Sequence, residues 1–125
     1  MSCGFEKVTL FSVNTHRLVL PGDLNQFGFL FGGQLLAWVD EASWIAASLE
    51  FPGCKFVTIG MDEVAFKKPV RAGQILAIES VLVERGTSSV AYEVTVTADK
   101  ALTIFNTRVT FVNVSEDGEK QSIQD

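Results

Sequence analysis

The sequence predicts an α+β domain in which one long buried helix is wrapped by a five-stranded antiparallel sheet. Residues 34–50 are rich in Leu, Ala and Trp, end at Pro52-Gly53 and are apolar on almost every side, which is typical of a helix buried in a core. The remaining segments are rich in β-branched and aromatic residues. A sheet of this size leaves one side of such a helix uncovered, so we expect a second copy of the chain to complete its burial.

The strands follow from apolar runs separated by turn sequences. A turn at residues 21–23 and a glycine-punctuated loop at residues 24–33 separate the first strand from the helix, and the predicted strands are residues 6–20, 56–66, 75–85, 89–98 and 102–114. The short gaps between the last three predict antiparallel pairing of successive strands. We expect one domain over residues 1–114 and a polar, flexible C-terminal tail over residues 115–125.

Composition argues against several classes of protein. The chain has 125 residues, 47% of them apolar and 20% charged, which suits one folded domain. A net charge of −5 argues against a general nucleic-acid binder. Cys3, Cys54 and the single His16 supply too few ligands for a zinc site, so we expect no metal and no cofactor. With no signal peptide and no apolar run long enough to span a bilayer, we expect a cytoplasmic protein without a membrane partner.

Two adjacent acids, Asp40 and Glu41, lie in the middle of the predicted helix. Glu41 shares a polar line with Gln34 and Ser48, so we interpret it as a solvated or interface acid. The helical neighbours of Asp40 are mostly small or apolar, which predicts a largely desolvated carboxylate. Residue chemistry alone leaves Asp40 either a structural hydrogen-bonding role or a catalytic one.

The loop before the helix offers groups that could bind a reacting carbonyl. Asn25 has an amide that both donates and accepts hydrogen bonds. Gly32 and Gly33 lie at the helix start, where unpaired backbone N–H groups can stabilise a developing oxyanion. A glycine pair at a helix start also occurs for purely structural reasons, and neither GxGxxG nor GxxxxGK[ST] is present.

Three segments resemble the acyl-CoA hydrolase branch of the hotdog-fold acyl-CoA thioesterases. Residues 25–40, "NQFGFLFGGQLLAWVD", resemble its pattern N-x-x-G-x-x-[FH]-G-G-x-x-x-x-x-x-D. Residues 58–73, "TIGMDEVAFKKPVRAG", are similar to T-x-x-[VM]-D-x-V-x-F-x-x-P-V-x-x-G, and "ERGTSSVAYEV" resembles its G-x-[ST]-S turn before a strand. The likeness extends over residues 18–112, with the three motifs in the same order.

The resemblance implies a hotdog fold and a homodimer with two sites at its interface, where Asn25 of one subunit faces Asp40 of the other. Assembly into tetramers or hexamers is also implied. The implied reaction hydrolyses an acyl-CoA thioester to a free acid and CoA, which enters only as part of substrate and product. Asp40 would act as general base or nucleophile, Asn25 would orient the water or the carbonyl, and the N–H near Gly33 would polarise the thioester oxygen.

For the CoA part of the substrate, the same motifs supply cations, hydroxyls and backbone that suit a phosphorylated nucleotide. We assign substrate binding to Gly32, Thr58, Lys67, Lys68, Pro69, Arg85, Gly86, Thr87 and Ser88. The Arg85 turn is the better candidate, although this branch often carries Arg or Asn where Thr87 stands. Trp38 and Trp44 add bulk to the helix, and a short or medium acyl chain is expected if either borders the acyl tunnel.

Two other functions fit part of the sequence. A hydratase or dehydratase of the same fold would pair a histidine with an acid, but His16 has no acid motif around it. A non-catalytic module that binds or senses acyl-CoA is compatible with the fold, because fold does not fix function. The Asn25 and Asp40 pair argues against this module. Neither the acyl chain nor the thiol carrier, CoA or acyl carrier protein, is specified by the sequence.

Overall fold

The computed structural model describes residues 12–99 and 102–124, which form one long helix and a five-stranded antiparallel sheet. The sheet order is β1-β3-β4-β5-β2, so β1 and β2 are its edges. The predicted α+β class, with one helix packed against five antiparallel strands, is confirmed. The elements are β1 Ser12–Leu18, a 3₁₀ turn Pro21–Asp23, α1 Gly32–Glu50, β2 Phe56–Asp62, β3 Ile75–Arg85, β4 Ser89–Ala98 and β5 Leu102–Asn113.

The element boundaries agree with the sequence where apolar and polar residues alternate and differ where the backbone turns. Strands β3 and β4 have the predicted bounds, and β5 ends one residue early. Strand β2 ends at Asp62 instead of residue 66, because Glu63 has φ 55°, a left-handed conformation that interrupts an extended chain. Helix α1 begins two residues earlier than predicted, β1 ends at Leu18, and residues 6–11 of the predicted first strand lie outside the described residues.

Helix α1 packs on the inner face of the sheet. Val39, Ala46 and Ala47 are fully buried, and their small size lets the helix lie close to the strands. The opposite side of the helix is not covered by this chain, since Trp44 is 43% and Leu49 63% exposed. The helix is therefore less buried in a single chain than its composition predicts. No helix in the described part of the chain is long and apolar enough to cross a membrane.

The C-terminal end of α1 is attached to the sheet by a partly buried hydrogen bond. The hydroxyl of Tyr92, on β4, donates to Oε1 of Glu50 at 2.7 Å. Burial of the ring, together with the nearby Glu50 carboxylate, raises the pKa of Tyr92 above its ordinary value. This bond fixes the end of the helix relative to the central strands.

The C-terminal segment packs against the domain, which differs from the flexible tail predicted over residues 115–125. Ile123 is only 7% exposed, and its N–H donates to the carbonyl of Thr87 at 2.9 Å. Val114 and Lys120 form a bridge across the turn between them. Ile123 is the one apolar residue in an otherwise polar segment, and its burial together with these backbone hydrogen bonds holds the segment in place.

Candidate active site

Helix α1 and strand β2 lie side by side and run in opposite directions. Near the C-terminal end of the helix, Nε1 of Trp44 donates to the carbonyl of Phe56 at 3.0 Å. One turn earlier, Oγ1 of Thr58 donates to Oδ1 of Asp40 at 2.6 Å. The predicted site residues Asp40 and Thr58 therefore meet in the middle of this contact between α1 and β2.

The carboxylate of Asp40 is oriented but only partly buried. It lies on the side of α1 that the sheet leaves uncovered, so the predicted desolvation is not reached in a single chain. Thr58 occupies Oδ1, and no described residue donates a hydrogen bond to Oδ2. One oxygen is thus held in position while the other is available to a water molecule or a substrate.

The neighbouring acid, Glu41, has a different environment. Arg17 on β1 forms a salt bridge with it at 2.5 Å, and the Arg17 guanidinium lies 5.2 Å from the Trp38 ring centroid. Glu41 is exposed, in agreement with its predicted place on the polar face. Because exposed pairs contribute at most about 1 kcal/mol, this salt bridge is a minor contact between helix and strand.

Asn25 closes the loop that precedes the helix. Its Oδ1 accepts hydrogen bonds from the backbone N–H groups of Phe27 and Phe29, at 2.9 and 3.1 Å. Gly28, between them, has φ 87°, which favours glycine. Within residues 12–99 and 102–124 nothing accepts a hydrogen bond from Nδ2 of Asn25. The side chain therefore shapes the loop with its oxygen and keeps its N–H donors for another partner.

The start of α1 leaves backbone donors uncapped. The preceding residue, Phe31, provides no side-chain cap, and no described residue accepts from the N–H groups of Gly32 or Gly33. A Cβ on Gly32 would lie 2.9 Å from Cζ of Phe66, whereas a Cβ on Gly33 would meet nothing within 4 Å. Packing within this chain thus explains the glycine at 32 but not the glycine at 33.

Asp23 joins the loop to the helix start, and the sequence did not single it out. Its Oδ1 accepts from Nε2 of Gln34 at 3.1 Å, and its Oδ2 accepts from the backbone N–H of Leu20 at 2.9 Å. Its carbonyl accepts from the N–H of Phe31 at 3.1 Å. The only sequence signal for this role is an acid at the end of the turn before the loop.

The distance between Gly33 and Asp40 limits what one chain can do. Seven residues of α-helix span about 10.5 Å along the axis. A base and an oxyanion donor must each lie about 3 Å from the reacting group. Gly33 and Asp40 of the same chain therefore cannot both contact one thioester carbonyl.

The residues predicted to bind CoA form two separate groups. Gly32, Lys67, Lys68 and Pro69 line one cavity of about 360 Å³ at the N-terminal end of α1. Phe31, Leu35 and Phe66 give this cavity an apolar wall beside the two lysines. The structure thus brings this group together as the sequence predicts.

The second group, Arg85 to Ser88, lies near the other end of the helix. The Arg85 guanidinium is 5.1 Å from the ring centroid of Phe51, the residue that follows α1, which is about 28 Å long. Burial raises the pKa of the Cys54 thiol and the charge of Arg85 offsets part of that rise, so Cys54 is not an activated nucleophile. Within one chain the structure does not bring this group to the lysine cavity.

His16 does not form the acid pair that a hydratase would need. It lies in β1 and lines a cavity with Gln74, Thr97 and Asp99. No hydrogen bond joins it to an acid in the described part of the chain. In that same part, no three His, Cys, Asp or Glu side chains are close enough together to hold a metal ion.

One helix packed against five antiparallel strands is the architecture of a hotdog-fold protein, and solved structures agree. A hexameric hotdog-fold thioesterase of Campylobacter jejuni superposes with a TM-score of 0.77 and 37% identity, over 88% of each chain. The acyl-CoA hydrolase of Staphylococcus aureus, solved with butyryl-CoA and CoA, gives a TM-score of 0.79 and 32% identity over 90% of this chain and 68% of that one. The model of the thioesterase superfamily matches residues 27–105, so the chain belongs to that family.

Two bacterial relatives are similar in sequence. An uncharacterised acyl-CoA thioester hydrolase of Bacillus subtilis, YkhA, is 36% identical over 73% of this chain and 52% of its own length. The acyl-CoA thioester hydrolase YciA of Salmonella typhimurium is 31% identical over 66% of this chain and 62% of its own length. The chain thus spans about half to three fifths of these two relatives.

Proposed function

We propose that this protein is an acyl-CoA thioesterase that hydrolyses an acyl-CoA to a free acid and CoA. The observation that carries the proposal is the hydrogen bond of 2.6 Å from Thr58 to the Asp40 carboxylate, on a half-exposed face of α1. This bond fixes Oδ1 of the carboxylate and leaves Oδ2 without a donor among the described residues. A carboxylate oriented in this way is suited to activating a water molecule or attacking a thioester.

Both chemical routes use the same groups. In the first, Asp40 takes a proton from water as the water oxygen bonds to the carbonyl carbon. In the second, Asp40 itself bonds to that carbon and the resulting anhydride is hydrolysed. In either route the C–S bond breaks, the CoA thiolate leaves and takes up a proton, and N–H groups at the start of α1 stabilise the oxyanion.

The proposed active unit is a homodimer that pairs the β2 edges of two chains. Val57 and Ile59 on this edge strand are 44% and 61% exposed, and exposed apolar edge strands are prone to pair. A two-fold axis at this edge places the two helices side by side and antiparallel. Gly33 and Asn25 of one chain then approach Asp40 of the other, which removes the 10.5 Å separation within one chain.

The same symmetry accounts for the two groups of CoA-binding residues. In antiparallel helices the N-terminal end of one lies beside the C-terminal half of the other, which brings the Lys67 and Lys68 cavity toward the partner's Arg85 turn. We propose that pantetheine enters through the cavity and that the turn binds a phosphate. Higher assembly is supported by the hexameric state of the C. jejuni thioesterase.

Further support comes from the Staphylococcus aureus hydrolase, which has been solved with CoA and with butyryl-CoA. That enzyme has also been solved with alanine in place of an aspartate, of a threonine and of an asparagine. The same three residue types occur in the proposed site as Asp40, Thr58 and Asn25. The reaction needs no metal or cofactor, because a thiolate leaves readily, and the low cysteine content supports a cytoplasmic location.

The test is a thiol-release assay on a panel of acyl-CoA substrates. We expect turnover by the wild type and a loss of about 10² or more in Asp40→Asn, because the base or nucleophile is removed. Glu41→Gln, one residue away, is the matched control and should change turnover little. Equal losses in both variants would contradict the role of Asp40, and an inactive wild type that still binds CoA would favour the non-catalytic binding module.

A further inference from the structure

The turn between β3 and β4, residues 86–88, is held from one side by the C-terminal segment. The N–H of Ile123 donates to the carbonyl of Thr87 at 2.9 Å, and the N–H of Asn113 donates to the carbonyl of Ser88 at 2.8 Å. The N–H of Gly86 closes the turn on the carbonyl of Ser89 at 2.8 Å. The carbonyl oxygens of Thr87 and Ser88 therefore point toward residues 113 and 123.

Asn113 links the C-terminal segment to the rest of the domain. It is buried, and its Oδ1 accepts from the N–H of Lys55 at 2.8 Å. Its Nδ2 donates to the carbonyls of Gln121 and Ser122, at 3.1 and 3.3 Å. The N–H of Gln121 donates to the backbone carbonyl of Asn113 at 2.9 Å. Residues 119–124, which we call the C-terminal strap, are thus fixed by a saturated buried amide.

The strap changes which polar groups the turn presents. Since Ile123 of the strap binds the carbonyl of Thr87 and Asn113 binds the carbonyl of Ser88, the groups of these two residues left without a partner are donors. No described residue accepts from the N–H or the hydroxyl of Thr87, nor from those of Ser88. Thr87 is exposed and follows Arg85 by two residues. Backbone N–H groups, hydroxyls and a guanidinium attract an anion, whereas carbonyl oxygens in the same place would repel it.

We propose that the C-terminal strap is a positioning element that orders the 86–88 turn to bind a phosphate group of CoA. This inference rests on the proposed function and adds a role for residues that touch neither the thioester nor the acyl chain. The strap acts directly on Thr87, whose carbonyl it binds, and indirectly on Ser88, because the strap also binds Asn113, whose N–H holds the Ser88 carbonyl. Without the strap, the peptide groups of the turn can rotate. The conformational entropy lost when they become ordered then weakens the binding of the ligand.

The experiment compares two thioesters that share an acyl group and differ in the nucleotide. Butanoyl-CoA carries the phosphates, and the butanoyl thioester of N-acetylcysteamine carries none. In Ile123→Ala we expect KM for butanoyl-CoA to rise about ten-fold with kcat nearly unchanged, as for one lost charge-assisted hydrogen bond. The kcat/KM for the N-acetylcysteamine thioester should stay within about two-fold of the wild type.

Three further variants separate positioning from stability. Gln124→Ala is the matched control, because Gln124 is exposed and lies in the same strap. Ile123→Val keeps a branched apolar side chain, so its KM for butanoyl-CoA should be close to that of the wild type. Ile123→Pro keeps an apolar side chain but removes the N–H that binds Thr87, so it should raise KM for butanoyl-CoA even if Ile123→Ala does not fold.

The outcomes are distinct. An unchanged KM for butanoyl-CoA in Ile123→Ala and Ile123→Pro, or equal losses with both thioesters, would overturn the role of the strap. If the wild type hydrolyses neither thioester, the proposed function fails, and the strap is then tested by calorimetric titration with CoA. A dissociation constant for CoA that rises about ten-fold in Ile123→Pro would support the strap on its own. An unchanged constant would contradict it.

Discussion

Two adjacent glycines at the start of α1 have different reasons to be glycine. A side chain at position 32 would collide with the Phe66 ring, while position 33 opens into space that this chain leaves empty. A methyl group at position 32 would displace the Phe66 ring, which is half-exposed. The open space at Gly33 leaves room beside the backbone N–H groups, as the proposed oxyanion site requires.

Gly33→Ala should keep the fold and lose activity. A Cβ at position 33 meets nothing within 4 Å in this chain, so the free energy of unfolding should not fall. The added methyl group would obstruct the substrate, and we expect kcat/KM to drop by about 10². Denaturant unfolding and the thiol-release assay measure the two effects. The adjacent variant Gly32→Ala is the control: its methyl group displaces the half-exposed Phe66 ring, so the free energy of unfolding should change by no more than about 0.5 kcal/mol.

At the scale of single elements, the hydrogen bond between Tyr92 and Glu50 should make the free energy of unfolding depend on pH in the alkaline range. The pKa of Tyr92 is raised in the folded protein, while in the unfolded chain it has its ordinary value of 10.0. As pH rises above that value the unfolded chain loses the proton first, so the free energy of unfolding should decrease. The protein has a single tyrosine, so tyrosinate absorbance reports on this group alone.

Tyr92→Phe is the matched variant for this pH dependence. At neutral pH it should be less stable by about 1–3 kcal/mol, because Glu50 loses a buried donor. Between pH 9 and 11 its stability should decline less than that of the wild type, since no group with a raised pKa remains at this position. Tyrosinate that forms in the native protein with an ordinary midpoint would contradict the assignment.

The two tryptophans of α1 differ in their relation to the site. Trp38 is 6% exposed and lies beneath Arg17, away from Thr58. Trp44 follows Asp40 by one turn, is half-exposed, and is held by its bond to the Phe56 carbonyl. Only Trp44 is therefore placed to border an acyl chain near the Asp40 carboxylate.

Trp44→Ala should shift the preference toward longer acyl chains. Each additional CH₂ that becomes buried contributes about 0.8 kcal/mol, or about four-fold in kcat/KM. The ratio of decanoyl-CoA to butanoyl-CoA hydrolysis should therefore rise, while Trp44→Phe should give an intermediate ratio. Trp38→Ala, the control, should cost about 3–5 kcal/mol of stability without changing the ratio. A constant ratio in Trp44→Ala would place the acyl chain elsewhere.

The bounds of the strands show how much of the fold could be predicted from the sequence. Alternating apolar residues predicted the bounds of β3 and β4, because each inward side chain meets the same helix. The end of β2 could not be predicted, since nothing in the sequence marks Glu63 for a left-handed conformation. The packed C-terminal segment was missed because the side chain of its anchor, Asn113, is held by Lys55, which is distant in sequence.

The candidate site was predicted to a similar extent. Motif spacing picked out Asp40 and Thr58, and the structure joins them by a hydrogen bond. The sequence did not show that the Asn25 oxygen closes its own loop. The sequence also did not show that the Lys67 and Lys68 cavity and the Arg85 turn lie at opposite ends of α1, because this distance depends on how the chain folds.

At the scale of the whole molecule, the proposed dimer predicts complementation between two inactive variants. Asn25→Ala and Asp40→Ala should each be nearly inactive alone. If Asn25 and Asp40 of each site come from different chains, a dimer of one variant chain of each kind has one site with both substitutions and one site with neither. Refolding an equal mixture should therefore recover about a quarter of wild-type activity.

The controls for complementation use the same two variants. Refolding each variant by itself should recover nothing, and mixing the folded dimers without denaturant should recover activity only as fast as subunits exchange. If both residues of a site belonged to one chain, every site of the mixed dimer would be defective. No recovery from a mixture shown to contain mixed dimers would contradict the two-chain site.

Besides the bonds of Asp40 and Glu41, three hydrogen bonds attach helix α1 to its surroundings along its length. Gln34 binds Asp23 near the start, Trp44 binds Phe56 in the second half, and Glu50 binds Tyr92 at the end. These bonds oppose both sliding and rolling of the helix against the sheet. The helix should therefore keep Asp40 in the same position against β2 when a second chain covers exposed side chains such as Ile45 and Leu49.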